Sequence, residues 1–173
     1  SVSAHLAEGM RLQGVTNNIV LLQNVIRCRK KLELNKSEGM NFLIVADLLD
    51  EVKNISGVIT AMHHLHSKYT EIKLYIIGDG PDSDDLKNTV KALGLGAKIS
   101  FLGRLVQTEV QNHLLVSDCV IVNSNYETYS MVTIESILTG VPVIATRCGG
   151  PEQFVNIQNG ILIPKSDSAS LEK

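Results

Sequence analysis

The feature that most constrains the fold is a regular alternation, from Met40 onward, of short apolar runs with longer segments of helical spacing. The apolar runs have the length of strands, and most have no polar side to turn toward water. Buried strands that alternate with helices predict a parallel sheet covered on both faces, which is an α/β fold. Because such crossovers are right-handed, we expect a doubly wound, Rossmann-like sheet.

The predicted elements follow one another closely along the chain. An N-terminal helix is expected at residues 4–12. Strands are expected at residues 18–23, 41–46, 72–77, 98–102, 119–122, 141–145 and 159–164. Further helices are expected at residues 52–67, 84–93, 108–117 and from Met131 to a C-cap at Gly140.

Length and composition describe a soluble globular chain of ordinary domain size. The 173 residues are 44% hydrophobic and 20% charged, and the net charge of −2 gives no general attraction for nucleic acid or anionic membranes. No run approaches the roughly 18–20 apolar residues of a membrane helix, and no secretory signal opens the chain. Three widely spaced cysteines indicate reduced thiols in a cytoplasmic protein. The first residue is Ser rather than Met, so we expect a piece of a longer protein.

Residues 118–150 carry the strongest functional pattern. They are predicted to form a strand, a polar loop at 123–130, a helix and a second strand. In open α/β sheets ligands bind beside such loops, and a helix N-terminus there attracts phosphate. Glu127 in the loop and Glu135 in the helix are not explained as core residues. Since a carboxylate accepts two hydroxyl hydrogen bonds at once, the pair suits sugar hydroxyls.

Other motifs allow two interpretations each. Lys53 is either a solvated lysine or a cation placed for phosphate. Gly78-Asp79-Gly80-Pro81 is either a tight turn or a ligand loop, and it is not a dinucleotide fingerprint. Five basic residues between Arg27 and Lys36 are interpreted as a linker and not as a nucleic-acid surface.

Two clusters could hold metal but have simpler explanations. Asp82-Ser83-Asp84 has the form of a metal-binding carboxylate pair, yet it precedes a helix, so we favour helix capping. His63, His64 and His66 share one helix without an acidic or thiol partner at ligand spacing, so we favour surface histidines.

A set of short motifs is specific through its order and spacing. It comprises Gly78-Asp79-Gly80-Pro81, Phe101-Leu102-Gly103-Arg104, Glu127-x7-Glu135, Gly140-Val141-Pro142-Val143-Ile144-Ala145, Gly149-Gly150-Pro151-Glu152 and Asn159-Gly160-Ile161-Leu162. With these motifs the chain resembles the C-terminal, donor-binding domain of a retaining GT-B glycosyltransferase of family 4 (group 1) type. Under this resemblance, residues 1–24 end an N-terminal domain, 25–39 form a basic interdomain linker, and 40–173 form the nucleotide-sugar-binding domain.

The resemblance implies transfer of a hexose-type sugar from a UDP- or GDP-sugar to a glycan or lipid-linked acceptor, with retention. Polysaccharide biosynthesis is the expected setting, without metal or other cofactor. The partners would be the donor and an absent N-terminal acceptor-binding domain, so this piece alone is expected to be inactive. The location implied is cytoplasmic, with membrane association of the full-length protein left open.

The resemblance also implies roles for individual residues. Glu127 would lie near the transferred sugar, Lys53 would neutralise the leaving diphosphate, and Glu135 would bind the ribose. The base would face the backbone of residues 98–104. The remaining donor-binding positions would be Tyr129, Ser130, Met131, Val132, Gly78, Gly80, Gly103 and Arg104.

Two departures keep alternatives open. Where the family usually has Gly-Arg-Leu this chain has Ala46-Asp47-Leu48, so either Arg104 or Arg147 substitutes for the missing cation or donor binding is weak. Where the family usually has Phe-Gly it has Tyr129-Ser130. A GT-B sugar-nucleotide epimerase and a degenerate, non-catalytic nucleotide-sugar-binding module are the alternatives.

Overall fold

In the part of the chain that the structure describes, six parallel strands form one sheet. The computed structural model describes residues 4–16, 39–165 and 168–172. The strands are β1 (Met40–Val45), β2 (Ile72–Ile77), β3 (Ile99–Gly103), β4 (Cys119–Val122), β5 (Val143–Thr146) and β6 (Gly160–Ile163). Their order across the sheet is β3-β2-β1-β4-β5-β6. The predicted doubly wound, Rossmann-like sheet is confirmed.

Most of the described helices lie in the connections between strands, whereas the first precedes β1 and the last 3-10 helix follows β6. They are α1 (Ala4–Leu12), α2 (Asp50–Lys53), α3 (Ile55–Leu65), α4 (Ser83–Ala92), α5 (Gln107–Val116) and α6 (Met131–Thr139), with 3-10 helices at Gly150–Gln153 and Ser168–Glu172. The bounds of α1, β2 and β4 match the prediction. The predicted strand at 18–23 and nearly all of the predicted linker lie outside the described residues.

Both faces of the sheet are buried. Leu43 and Ile44 are neighbours in β1 and point to opposite faces, yet they are 0% and 4% exposed. Leu43 belongs to a core with α5, through Val110 and Leu114. Ile44 belongs to the other core, which contains residues of α3 and α4. Among the residues that the structure describes, no helix is both long and apolar enough to cross a membrane.

The strand order reverses between β1 and β4. Successive strands β1, β2 and β3 extend the sheet in one direction, and β4 then returns to pair with the free side of β1. The loops after β1 and β4 therefore leave toward different sides. In doubly wound sheets this reversal leaves a crevice at the carboxyl ends of the two strands.

The prediction of one continuous helix at residues 52–67 is wrong. The chain forms the single turn of α2 and then the longer α3, separated by Asn54. Asn54 has a left-handed conformation with φ of 46°. Local helical spacing does not reveal this break, because contacts from a distant loop hold it in place.

Candidate functional site

A cleft opens between the carboxyl ends of β1 and β4, where the strand order reverses. Its open volume is about 270 Å³. The floor consists of the last residues of both strands. The side chains that line it from the following loops and from α6 are Lys53, Asn123, Ser124, Glu127 and Val132.

Lys53 and Glu127 meet in this cleft, although they are 74 residues apart in sequence. Lys53 Nζ lies 2.5 Å from Glu127 Oε1, and Ser124 Oγ donates to the same oxygen at 3.2 Å. The two charged side chains are only 21% and 15% exposed. Their charges are therefore less screened by water than those of a surface pair.

The break after α2 fixes the position of Lys53. Asn123 Nδ2 donates to the carbonyl of Asn54 at 2.9 Å, and Asn125 N donates to the carbonyl of Val52 at 2.8 Å. Asn adopts the left-handed conformation more readily than most residues. As a result α2 is fastened to the loop that carries Glu127, and Lys53 is held beside it.

The acids before α4 have structural partners, but not the ones predicted. Asp82 forms no side-chain cap on α4. Its Oδ2 instead accepts a hydrogen bond from Asp50 N, at 2.6 Å, at the start of α2. Asp50 Oδ1 accepts in turn from Ser56 N at 2.8 Å, at the start of α3. Both carboxylates thus meet the positive end of a helix. Asp84 is exposed and lies 3.6 Å from Lys87 Nζ.

The loop of Glu127 is clamped to the segment after β5. Glu127 N donates to the carbonyl of Cys148 at 3.0 Å, and the Glu127 carbonyl accepts from Gly150 N at 2.7 Å. A Cβ on Gly150 would lie 2.6 Å from the carbonyl carbon of Tyr129. The Tyr129 ring packs edge-on against Phe154, with centroids 5.2 Å apart. The glycine pair after β5 therefore lets two loops touch at the site.

The start of α6 lies at the same edge of the sheet. Ser130 precedes it in a left-handed conformation with φ of 62°, where a side chain is strained and glycine is not. Ser130 Oγ lies 2.8 Å from Thr133 Oγ1. The N–H groups of a first helical turn are not used by the helix itself, and together with the helix dipole they attract anions. Val132 brings this turn to the cleft wall.

Glu135 lies one helical turn beyond the start of α6 and three residues after Val132, so it is on the same side of the helix. It is 9% exposed. Gln107 Nε2, at the start of α5, donates to Glu135 Oε1 at 2.6 Å. Burial raises the pKa of the Glu135 carboxyl above its ordinary value, and the Gln107 hydrogen bond opposes this rise. The predicted carboxylate is thus placed at this edge and held by an amide.

Gly78 and Gly80 are in close backbone contact with the loop after β1. A Cβ would lie 1.7 Å from the Ala46 carbonyl oxygen at Gly78 and 2.5 Å from the Leu48 carbonyl oxygen at Gly80. Gly78 N donates to the carbonyl of Gly103 at 2.9 Å, and Gly80 N donates to Asp79 Oδ1 at 2.9 Å. Both N–H groups already have protein partners, so the glycines serve to pack this loop.

Arg104 faces the residue that departs from the family pattern. Arg104 Nη2 lies 3.2 Å from Asp47 Oδ1, and both side chains are largely exposed, at 74% and 80%. Arg147 lies 3.7 Å from Glu152 Oε2. Of the two arginines, the structure brings Arg104 next to Asp47.

The range expected to face the base, residues 98–104, runs along the whole of β3. Lys98 lies at the amino end of β3 and its Nζ donates to the carbonyl of Thr70. Only Gly103 and Arg104 lie at the carboxyl end, since a five-residue strand separates its ends by about 13 Å. Sequence reasoning also missed Gln107 and Ser124, which are single polar residues without a motif.

The histidines at 63–66 and Cys119, which the sequence did not assign to the site, do not line the cleft. His64 is exposed and pairs with Glu172 at 2.7 Å, whereas His63 and His66 are half-buried with stacked rings, so the surface prediction is correct only for His64. Burial raises the pKa of the Cys119 thiol to about 11, which makes it unreactive. In the described part of the chain, no group of three or more His, Cys, Asp or Glu residues could hold a metal ion.

A family model described as glycosyl transferases group 1 matches residues 27–173. The chain belongs to this family. The match includes the whole sheet and every predicted site residue, so the resemblance inferred from the ordered motifs is confirmed at the level of this group.

Curated relatives of this group 1 glycosyltransferase chain are considerably longer. N-acetyl-alpha-D-glucosaminyl L-malate synthase from Bacillus anthracis is 31% identical over 142 residues, which are 82% of the chain and 36% of the relative. Alpha-monoglucosyldiacylglycerol synthase from Streptococcus pneumoniae is 29% identical over 71% of the chain and 27% of the relative. The chain thus spans about a third of their length.

Solved structures agree in fold. S. aureus TarM superposes with a TM-score of 0.88 over 99% of the chain and 34% of TarM, at 20% identity. Anabaena HepE, solved with UDP, gives 0.69 over 78% of the chain and 37% of HepE, at 23% identity. The C-terminal domain of a group 1 protein from Francisella tularensis gives 0.68 over 78% of the chain and 72% of that domain, at 25% identity. The chain has the fold of a Rossmann-like half of a GT-B enzyme.

Proposed function

We propose that this chain is the donor-binding half of a retaining glycosyltransferase. It takes a hexose-type sugar from a UDP- or GDP-sugar and transfers it to a glycan or lipid-linked acceptor. The observation that carries the proposal is the Lys53–Glu127 pair, 2.5 Å apart, in the cleft that α6 begins beside. A cation, a carboxylate and a helix N-terminus converge there, as the phosphates and sugar of such a donor require.

In the proposed reaction the leaving nucleoside diphosphate gains negative charge. Lys53 Nζ and the backbone N–H groups of residues 129–132, around the start of α6, stabilise that charge in a shielded site. Since Glu127 already contacts Lys53, one ammonium group links the diphosphate to the carboxylate that binds the sugar hydroxyls. Glu127 and Lys53 are therefore the residues we assign to catalysis.

The nucleoside is held farther from the reacting bond. Glu135 accepts hydrogen bonds from the ribose hydroxyls, and the Gly103–Arg104 turn forms a wall for the base. Gly78 and Gly80 contribute by packing the loop that carries Asp47. The names of the two relatives above contain a glucosaminyl and a glucosyl group, which supports a hexose-type donor, and one contains diacylglycerol, which supports a lipid acceptor.

The proposed chemistry needs no metal ion. Asp82 and Asp50 are engaged at helix starts, which supports a donor site that relies on Lys53 and backbone N–H groups. Nucleotide affinity should therefore be the same with EDTA and with millimolar Mg²⁺. A tenfold gain in affinity with Mg²⁺ or Mn²⁺ would contradict this part of the proposal.

Isothermal titration calorimetry of the 173-residue chain against UDP, GDP and their hexose derivatives tests the donor site. We expect saturable binding of one nucleoside diphosphate and its sugar. The absence of binding to all of them at millimolar concentration would refute the proposal. The anomeric configuration of the product, measured by NMR with the full-length enzyme, tests retention. A sugar nucleotide converted to its epimer without acceptor would favour the epimerase alternative.

Asp47 is the observation that favours a degenerate binding module, because a carboxylate repels a diphosphate. The contact with Arg104 offsets this repulsion. If Arg104 supplies the missing cation, Arg104→Gln should weaken diphosphate binding about tenfold, while Arg147→Gln should change it little. Asp47→Arg should tighten binding. Wild-type affinity in Arg104→Gln would leave the module alternative standing.

A further inference from the structure

Gln107, which belongs to no motif of the sequence, donates a hydrogen bond to Glu135. We propose that Gln107 is a positioning residue, which holds the Glu135 carboxylate in the orientation that receives the ribose hydroxyls of a nucleoside diphosphate. The inference rests on the proposed function, because it concerns how that donor site discriminates among nucleotides.

The amide of Gln107 is carried by a well-anchored helix start. Val106 N, directly before α5, donates to Glu109 Oε2 at 3.1 Å, and Glu109 N donates to the Val106 carbonyl at 2.9 Å. Val110, in the next turn, is 6% exposed and packs in the core beneath. Because the first turn of α5 is fixed at both its cap and its core side, the Gln107 side chain has a defined origin from which to reach Glu135.

The hydrogen bond from Gln107 uses one oxygen of the Glu135 carboxylate and leaves the other oxygen for a ligand. Gln107 Nε2 donates to Oε1, and the other side-chain hydrogen bond to Glu135 among the described residues, from Thr139 Oγ1, goes to its backbone carbonyl and not to the carboxylate. In the same part of the chain the buried side-chain polar atoms without a partner comprise His63 Nδ1 alone. Glu135 Oε2 therefore reaches the solvent boundary, where a ligand hydroxyl can donate to it.

The hydrogen-bond partner of the Glu135 carboxylate is a neutral amide, and this favours a role of Glu135 in ligand binding. A carboxylate that served only the fold would be stabilised best by a cation or by replacement with an apolar residue. An amide fixes the orientation but leaves the full negative charge to attract donors. The pKa of Glu135 is raised by burial even with this hydrogen bond in place, so the carboxylate is retained at a cost in stability.

The test compares Gln107→Leu with wild type. Leucine keeps the carbon chain out to Cδ and removes the N–H donor, and since Gln107 is exposed the variant should fold. Its melting temperature should fall by a few degrees at neutral pH, because the buried Glu135 carboxylate loses a donor. Asn112→Leu, at another exposed amide of α5, is the matched control. Affinities are measured by calorimetry for UDP and 2′-deoxy-UDP, and for GDP and 2′-deoxy-GDP.

We expect wild type and Asn112→Leu to bind the ribonucleotide on the order of tenfold more tightly than its 2′-deoxy form, since a hydrogen bond to a charged group is lost. In Gln107→Leu the ribonucleotide should bind more weakly. The ratio of its affinity to that of the 2′-deoxy form should fall to about threefold or less. The NMR titration of the Glu135 side chain should show a higher pKa in Gln107→Leu, because an N–H donor favours the charged form.

The outcomes separate the two levels of inference. An unchanged ratio and an unchanged Glu135 titration in Gln107→Leu would overturn the positioning role alone. A wild-type chain that binds neither diphosphate would overturn the proposed donor site and the positioning role together. Equal binding of the ribo and 2′-deoxy forms by wild type would overturn the ribose role of Glu135, and the positioning role with it, without touching the donor site at Lys53 and Glu127.

Discussion

At the scale of single residues, the two carboxylates of this site lie in different surroundings. Glu127 contacts the Lys53 ammonium and the Ser124 hydroxyl, in a cleft that both charged groups share. Among the described residues, the Glu135 carboxylate has the Gln107 amide as its hydrogen-bond partner and lies mostly under protein, so its charge is poorly compensated. A carboxylate beside a cation suits the reacting end of a donor, and an uncompensated one suits neutral hydroxyl groups.

Lys53 should matter both for nucleotide binding and for folding. We expect Lys53→Gln to weaken binding of a nucleoside diphosphate at least tenfold, because a shielded cation is lost from the phosphate site. The free energy of unfolding should fall by about 1–2 kcal/mol, because Glu127 keeps its charge without its partner. Calorimetry and urea unfolding measure the two effects.

Lys87 offers a matched control for this substitution. It pairs with Asp84 at 3.6 Å on the surface, where both side chains are largely solvated. Lys87→Gln should change stability by less than about 0.5 kcal/mol and leave nucleotide affinity unchanged. Equal effects of the two lysine substitutions would mean that the Lys53–Glu127 contact has no special role.

The pKa of Glu135 makes stability depend on pH in a definite direction. Burial raises its pKa in the folded protein above the ordinary value of 4.5. A raised pKa contributes stability that is fully present below the unfolded value and is lost as pH rises through the folded value. Glu135→Gln, which cannot ionise, should therefore gain stability relative to wild type as pH rises from 4 to 7.

Urea unfolding of both proteins across this pH range measures the difference directly. Glu71→Gln, at an exposed carboxylate, is the control. Glu135→Gln should at the same time bind the nucleotide more weakly, since an amide oxygen is a poorer acceptor than a carboxylate. A stability difference independent of pH would contradict the effect assigned to burial.

The charged residues of the candidate site could be predicted from the sequence. The residues whose placement depends on contacts between distant elements could not. Lys53, Glu127 and Glu135 are unusual for their positions and were predicted as site residues. Gln107 belongs to no motif, and its role depends on a helix 28 residues away in sequence. Asp82 follows the local rule for a helix cap, but a neighbouring helix supplies a better-placed N–H group, and tertiary geometry decides.

At the scale of elements, the site depends on loops that are fastened to one another and not on the strands alone. Strand bounds such as those of β2 and β4 follow from apolar runs, which local sequence records. The break at Asn54 follows from hydrogen bonds with Asn123 and Asn125, which become neighbours only after the sheet forms. This explains why the strands could be predicted and the two-helix connection could not.

A substitution at Gly150 tests whether the contact between these loops shapes the site. Gly150→Ala would place a methyl group 2.6 Å from the Tyr129 backbone, so the two loops must separate. We expect a loss of about 1–3 kcal/mol in the free energy of unfolding. Nucleotide affinity should also fall, because the start of α6 and Glu127 are displaced.

Gly96→Ala is the matched glycine control. No atom lies within 4 Å of a Cβ built at Gly96, and its φ is not in the left-handed region. The substitution should be neutral or stabilise by up to about 1 kcal/mol, through the unfolded chain. If Gly150→Ala were as well tolerated as Gly96→Ala, in both stability and nucleotide affinity, the loop contact would have no part in shaping the site.

At the scale of the whole molecule, Lys53, Glu127 and the start of α6 lie together at the carboxyl edge of a single sheet. The chain spans about a third of its relatives, and the Francisella tularensis structure that it resembles is a C-terminal domain. The proposed donor contacts come from α2, from α6 and from the loops after β3 and β4 of this chain, so nucleotide binding and sugar transfer should be separable properties.

The separation can be measured by comparing the 173 residues with the full-length enzyme. We expect both to bind the nucleoside diphosphate with dissociation constants within about tenfold of each other, because Lys53, Glu135 and the start of α6 are present in both. Only the full-length enzyme should transfer sugar, since an acceptor must be held in line with the donor for reaction. In that enzyme Glu127→Gln should lower kcat by about 100- to 1,000-fold and change nucleotide affinity by less than about threefold, because its contact strengthens at the reacting sugar. Transfer by the 173 residues alone would show that they carry the acceptor site as well. A loss of nucleotide affinity in Glu127→Gln equal to the loss in kcat would instead assign Glu127 to donor binding.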